Sequence, residues 1–248
     1  MTTTIEQYQM QPPELQGMGW GRFLLQILSV GIVYIAASVP PIVILGQGSN
    51  GILASVATSM LGALVVAWFW LRRDGTLTEA WILARPASWP KTLLMALGTT
   101  IAIILWFSLG AMLVEALGFN APEVQMVLDF VVESPLSFVL WIVVVAWLAA
   151  GLGEELLWRG FLFDRLNRLA GIKGRIWLAL LIQAAAFGLP HIYQGMGGVL
   201  ITGVVGLFLG WVRIKSSWSL LPCVLAHAAV DTVMMSLAYA QKLEWIAF

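Results

Sequence analysis

Long apolar runs separated by short polar breaks occupy the chain from about residue 23 to residue 239. Seven can be drawn: 23–45, 52–71, 93–117, one beginning at 136, one beginning near 176, 199–212 and 220–239. Each approaches the ~20 apolar residues that carry an α-helix across a hydrocarbon core. The pattern predicts an all-α fold, a polytopic transmembrane helical bundle of about seven spans. Pro40-Pro41 is expected to kink the end of the first run, and the short run 199–212 to be tilted or partly re-entrant.

Composition strengthens this picture. Apolar residues make up 60% of the 248 and charged residues 10%, where a soluble domain carries about 25% charge. No polar stretch is long enough for a soluble domain. The formal net charge is zero, so no overall field points to nucleic acid, and none is expected as a partner. The single Cys223 leaves no internal disulfide and no Cys-rich metal site, and reads as a small apolar filler. Glu6 and Glu14 precede the first basic residue, Arg22, so the basic start of a cleavable signal is not expected. The organisation predicted is a cytoplasmic polar tail (1–22), N-terminal transmembrane helices with an external acidic loop (23–135), a helical core (136–240) and a C-terminal tail (241–248).

The charges fix an expected orientation. Arg22, then Arg72, Arg73, Arg85 and Lys91, then Arg159, Arg165, Arg168, Lys173 and Arg175, then Arg213 and Lys215 fall in alternate loops. The intervening loops carry no basic residue, and 118–135 holds only Glu123, Asp129 and Glu133. By the positive-inside rule the N-terminus is cytoplasmic and the C-terminus outside, which needs an odd number of spans. The acidic loop is expected to hold a short surface helix. Tryptophans near the span ends, Trp81 and Trp89 among them, read as an interfacial belt. Gly203, Gly206 and Gly210 form a small-residue face suited to close packing inside the monomer, and less readily to a homodimer through Gly206-x-x-x-Gly210.

Against this apolar background stands Gly153-Glu154-Glu155-Leu156-Leu157-Trp158-Arg159. A carboxylate in hydrocarbon costs about 2.5–3.5 kcal/mol even on the lenient insertion scale. Glu155 and Arg159 stand at i and i+4, the favourable order for a helical ion pair, and read as structural support. Glu154 points elsewhere around the helix and remains free. Past Arg159 an amphipathic extension leads to the 171–174 glycine turn, and the next helix returns. The midpoint between Glu154 and His191 falls in that turn, so in an antiparallel hairpin both lie about 25 Å from its tip at the helical rise. His227 lies about 14 Å along the last span, at a similar depth. Asp231 shares its helix face one turn on.

A carboxylate beside a histidine is suited to activate water as a general base. Asp231 reads as a partner that orients His227. There is no His-Glu-x-x-His, no plausible Ser-His-Asp order, and no Gly-rich loop after a strand. The residues leave two chemistries open: water activation by Glu154 and His191 alone, or a metal such as zinc held by His191, His227 and Glu154.

The motifs Glu154-Glu155-x-x-x-Arg159, Phe187-x-x-x-His191 and His227-x-x-x-Asp231 together resemble the CPBP family, the type-II CAAX prenyl proteases and bacteriocin-processing or immunity proteins of the Abi domain. The resemblance covers about residues 136–240. It implies an integral-membrane endopeptidase acting on a membrane-associated substrate, CAAX-type or bacteriocin-like. Glu154 and His191 would then activate water, His227 and position 231 would stabilise the oxyanion, and Glu155 and Arg159 would support the site. Position 231 departs from the prenyl-protein branch, which has Asn there; an ionised Asp cannot donate to an oxyanion. A farnesylated substrate therefore does not follow. Two other classes compete. One is a non-enzymatic membrane immunity or scaffold protein that binds a peptide. The other is an ion carrier, which would need polar residues in both halves of the chain.

Overall fold

The computed structural model describes residues 17–246. Most of the expected polar tail, residues 1–16, and the last two residues of the C-terminal tail lie outside the described residues. The elements are helical: α1 (Trp20–Leu45), α2 (Ser49–Arg73), α3 (Leu77–Ala80), α4 (Trp89–Ala116), α5 (Gln125–Val132) and α6 (Pro135–Leu140). A π-wound stretch (Trp141–Leu162) continues α6 directly into α7 (Phe163–Arg168). Then come α8 (Ile176–Gly188), a 3-10 turn (Leu189–Gln194), α9 (Gly195–Lys215) and α10 (Leu221–Lys242). Local chemistry marks several of the boundaries. Ser134 Oγ accepts from Ser137 N at 3.0 Å with Pro135 opening α6, and Ser88 caps α4 ahead of Pro90. Gly46 and Gly195 stop the chain in left-handed φ of 79° and 82°, where a side chain would be strained.

Six stretches are long and apolar enough to cross a membrane. The fifth of them, Ile176–Lys215, is not one rod. Gly206 lies against Ala184, so that a Cβ there would come within 2.9 Å of the Ala184 Cα, and Gly210 lies against Leu180 and Gln183. These pairings run antiparallel, so α8 and α9 form a hairpin folded at the 3-10 turn, and seven rods run between the two ends of the bundle. The Gly206/Gly210 face is used for this packing within the monomer. The 199–212 run is also longer than its apolar residues suggest. It forms the 21-residue α9, because Gly197 and Gly198 continue the helix where a Cβ would strike Asn120 O at 2.2 Å and Gln194 at 2.5 Å.

The alternate loops gather at the two ends. At one end Arg22 pairs with Asp74, Arg168 with Glu79, and Arg213 Nη2 donates to Ala80 O at 2.8 Å, while Leu220 N donates to Ile82 O at 2.9 Å. At the other end Trp141 Nε1 donates to Ser49 Oγ at 2.9 Å, and Glu123 N donates to Gln194 O at 3.0 Å. The stacked Phe138 and Tyr239 rings, 4.4 Å apart, bring the end of α10 there too. The basic loops are thus the ones that meet. The acidic loop carries the expected short helix, α5. Trp81 does not behave as a simple belt residue: its indole donates to Leu156 O at 2.9 Å, over Gly160, whose missing side chain makes room for the ring.

Candidate active site

The Glu154–Arg159 stretch lies within the π-wound part of a 34-residue rod, Pro135–Arg168. The pattern predicts an α-helix there. The i→i+5 winding is rare and occurs mostly near functional sites. It still lets Arg159 Nη1 donate to Glu155 Oε1 at 2.8 Å, with both side chains fully buried. Arg159 also lies over the Phe187 ring at 3.9 Å, a short cation–π approach that ties the rod to α8.

Glu155 has a second partner that i,i+4 spacing does not reveal. His227 Nδ1 donates to the same Oε1 at 2.7 Å. The group that orients His227 is therefore Glu155, not Asp231, which forms no hydrogen bond among the described residues and is half-buried. With Nδ1 held this way, His227 turns Nε2 toward Glu154, whose Oε2 lies 4.0 Å away. Glu154 is the less tightly held carboxylate of the pair, and a quarter of its side chain is exposed.

His191 sits in the 3-10 turn rather than within a helix. The α-helix ends at Gly188, whose absent Cβ would meet Val199 O at 2.4 Å. The turn keeps His191 beside Glu154, and the two line one cavity of about 390 Å³. Its Nδ1 lies 3.2 Å from Phe187 O. A carbonyl only accepts, so Nδ1 carries the proton and Nε2 of the neutral ring is left with a lone pair. Phe187 packs edge-on against His227 at 6.0 Å and lies 5.5 Å from His191, which makes it the spacer between the two histidines.

The cavity walls come from α1, α2, the π-wound rod and the 3-10 turn: Ile27, Tyr34, Met60 and Leu157 are among the lining residues. A second, apolar cavity of about 570 Å³ between α1 and α8 shares Ile27, Trp158, Leu162 and Pro190 with it. The two cavities adjoin at these residues, one reaching Trp20 and Leu169 toward the charged end and the other reaching Glu154, and together form the apolar groove of the bundle.

Among the described residues no three His, Cys, Asp or Glu side chains are grouped to hold an ion. Both histidines commit Nδ1, His227 to Glu155 and His191 to its own turn's carbonyl, and keep Nε2 free.

Residues that sequence spacing missed complete the picture. Tyr34, a hydroxyl-bearing residue of α1, lines the cavity. Gln183 of α8 is fully buried and lacks any hydrogen-bond partner among the described residues. The available signal was a lone polar group in the middle of an apolar run, the same signal that singled out Glu154.

Residues 135–233 match the family model described as Type II CAAX prenyl endopeptidase Rce1-like. Over this stretch, less than half of its length, the chain is similar to that protease family. The match takes in the rod with Glu154, Glu155 and Arg159, the α8–α9 hairpin with His191, and most of α10 with His227 and Asp231, and leaves α1 to α5 outside it. No curated protein and no solved structure matches the chain. The similarity to a membrane endopeptidase family and the six helices long and apolar enough to cross a membrane both point to an integral membrane protein.

Proposed function

We propose that this protein hydrolyses a peptide bond in a hydrophobic or lipidated, membrane-associated substrate, CAAX-type or bacteriocin-like, with Glu154 as the catalytic base. The observation that carries this reading is the one cavity lined by both Glu154 and His191, with His227 Nε2 held 4.0 Å from Glu154 Oε2. A water between Glu154 and His191 gives a proton to Glu154 while the lone pair on His191 Nε2 accepts its other O–H and aims the oxygen. The oxygen attacks the scissile carbonyl. The tetrahedral oxyanion takes a hydrogen bond from His227 Nε2–H when that ring is protonated, with Asp231 one turn away balancing its charge. Collapse breaks the C–N bond, and the proton held by Glu154 passes to the leaving amine. Glu155 and Arg159 hold His227 in register. No step here uses a metal.

The apolar groove between α1 and α8 suits a substrate's lipid or apolar side chains. The basic loops meet at one end of the bundle, and that end is assigned to the cytoplasm with the N-terminus. The test is cleavage of a quenched-fluorescence peptide, prenylated or plain, by purified protein in detergent. Wild type should cleave and Glu154→Gln should not, with both proteins melting alike. Equal activity in the two would remove Glu154 from the mechanism. Binding of the peptide without cleavage by wild type would favour the peptide-binding immunity role.

A further inference from the structure

The polar lining of the site cavity is unbalanced toward acceptors. Glu154, when ionised, only accepts. His191 presents its Nε2 lone pair, because its Nδ1–H is committed to Phe187 O at 3.2 Å. A water-attack mechanism needs the opposite on the substrate side: donors aimed at the oxygen that becomes charged. Two lining side chains carry such hydrogens, Tyr34 and Trp158. Trp158 is occupied as packing, edge-on to Phe187 at 5.8 Å and shared among three hydrophobic clusters. Tyr34 belongs to α1, which with α2 and the π-wound rod that carries Glu154 walls the cavity.

We propose that Tyr34 is a further catalytic residue of this site, its hydroxyl donating a hydrogen bond to the substrate carbonyl oxygen as that oxygen becomes the oxyanion. This rests on the hydrolytic reading above. It gives α1, which lies outside the residues that match the protease family, a chemical part as well as a wall of the groove. It also supplies a donor of a kind that an ionised Asp231 cannot supply.

The experiment compares Tyr34→Phe with wild type on the same peptide, because Phe keeps the ring and removes only the hydroxyl. The expected result is a fall in kcat of about 10²-fold, the usual scale for losing one oxyanion donor, with KM changed by less than about threefold. A peptidyl aldehyde, whose hydrate carries a tetrahedral oxygen, should inhibit Tyr34→Phe about 10²-fold less well, while an uncleavable peptide amide should bind both proteins equally. Wild-type kcat in Tyr34→Phe overturns the inference and leaves the hydrolytic reading standing. So does a fall in kcat matched by an equal weakening of the uncleavable peptide, which would make the hydroxyl a ground-state contact. Wild type that cleaves nothing overturns both.

Discussion

Two charged clusters sit in this bundle, and they differ in how completely they are paired. At the basic end, Asp74 accepts from Arg22, from Gln26 at 2.8 Å and from Arg165 at 2.7 Å. Asp164 accepts from Arg165 and from Arg168, and Glu79 from Arg168. Three arginines face three carboxylates there, and each of those carboxylates has an arginine. Deeper in the bundle, Glu155 is held through Oε1 alone, by Arg159 at 2.8 Å and His227 at 2.7 Å, while its buried Oε2 has no partner among the described residues. Glu154 has no partner nearer than His227 at 4.0 Å. A saturated cluster fastens helices together; an unsaturated acceptor facing a cavity is available to react. Four substitutions test that contrast, from the largest expected effect to the smallest.

Glu154→Gln should cost the most in function and little in stability. Removing a general base lowers kcat by about 10²–10⁴-fold, whereas the Glu154 carboxylate makes no hydrogen bond whose loss would loosen the fold. Cleavage assays beside thermal melting check this. A melting point that falls with the activity would move Glu154 into the fastening class. A chelator belongs in the same assay: on the proposed mechanism, in which Glu154 and His191 alone activate water, cleavage survives it.

Arg165→Met should do the reverse. It leaves Asp74 and Asp164, both nearly buried at 7% and 9% exposure, short of their shared partner. Breaking a buried pair from one side costs about 3–5 kcal/mol. The expected result is a large loss of folded yield and melting temperature, with kcat per folded molecule unchanged.

Sequence reading reached these clusters unequally. The Glu155–Arg159 pair was legible because i,i+4 spacing is local. The shared cavity of Glu154 and His191 followed from counting residues to the glycine turn, although the 3-10 turn at Leu189–Gln194 interrupts the straight helix that the count assumes. The second partner of Glu155 was not legible, since His227 is 72 residues away and bonds sideways between helices. The basic-end network was hidden for a similar reason. Asp74 and Arg165, 91 residues apart, read as loop charges that set orientation, and nothing in a hydropathy pattern says that two loops touch. The α8–α9 hairpin was drawn correctly as two runs because Gly195–Gly198 breaks the apolar pattern. Tyr34 escaped because the chemistry-bearing motifs lie in the second half of the chain.

Glu155→Gln sits between the two classes and should lower both measurements. Gln keeps the volume and one acceptor oxygen but removes the charge that Arg159 and His227 share. Losing charge-assisted hydrogen bonds costs about 1.5–3 kcal/mol, and a His227 less firmly oriented should lower kcat as well. A loss of melting temperature with full kcat would show that the orientation of His227 does not matter to turnover.

The smallest effect is expected at the rim of the saturated cluster. Arg22 pairs with Asp74, but half of its side chain is exposed, and Asp74 keeps both Arg165 and Gln26 when Arg22 is removed. Exposed pairs contribute about 0.2–1 kcal/mol, so Arg22→Ala should shift the melting temperature only slightly and by less at high salt. The groove adds a second readout. Arg22 lies at the end of α1 that is fastened to Asp74, and α1 walls the groove leading to Glu154. If Arg22 only fastens, turnover of a long lipidated substrate and of a short peptide should change alike in Arg22→Ala. A selective change for the lipidated substrate would mean that the saturated cluster also sets how wide the groove stands, and the separation between fastening and chemistry would fail at its rim.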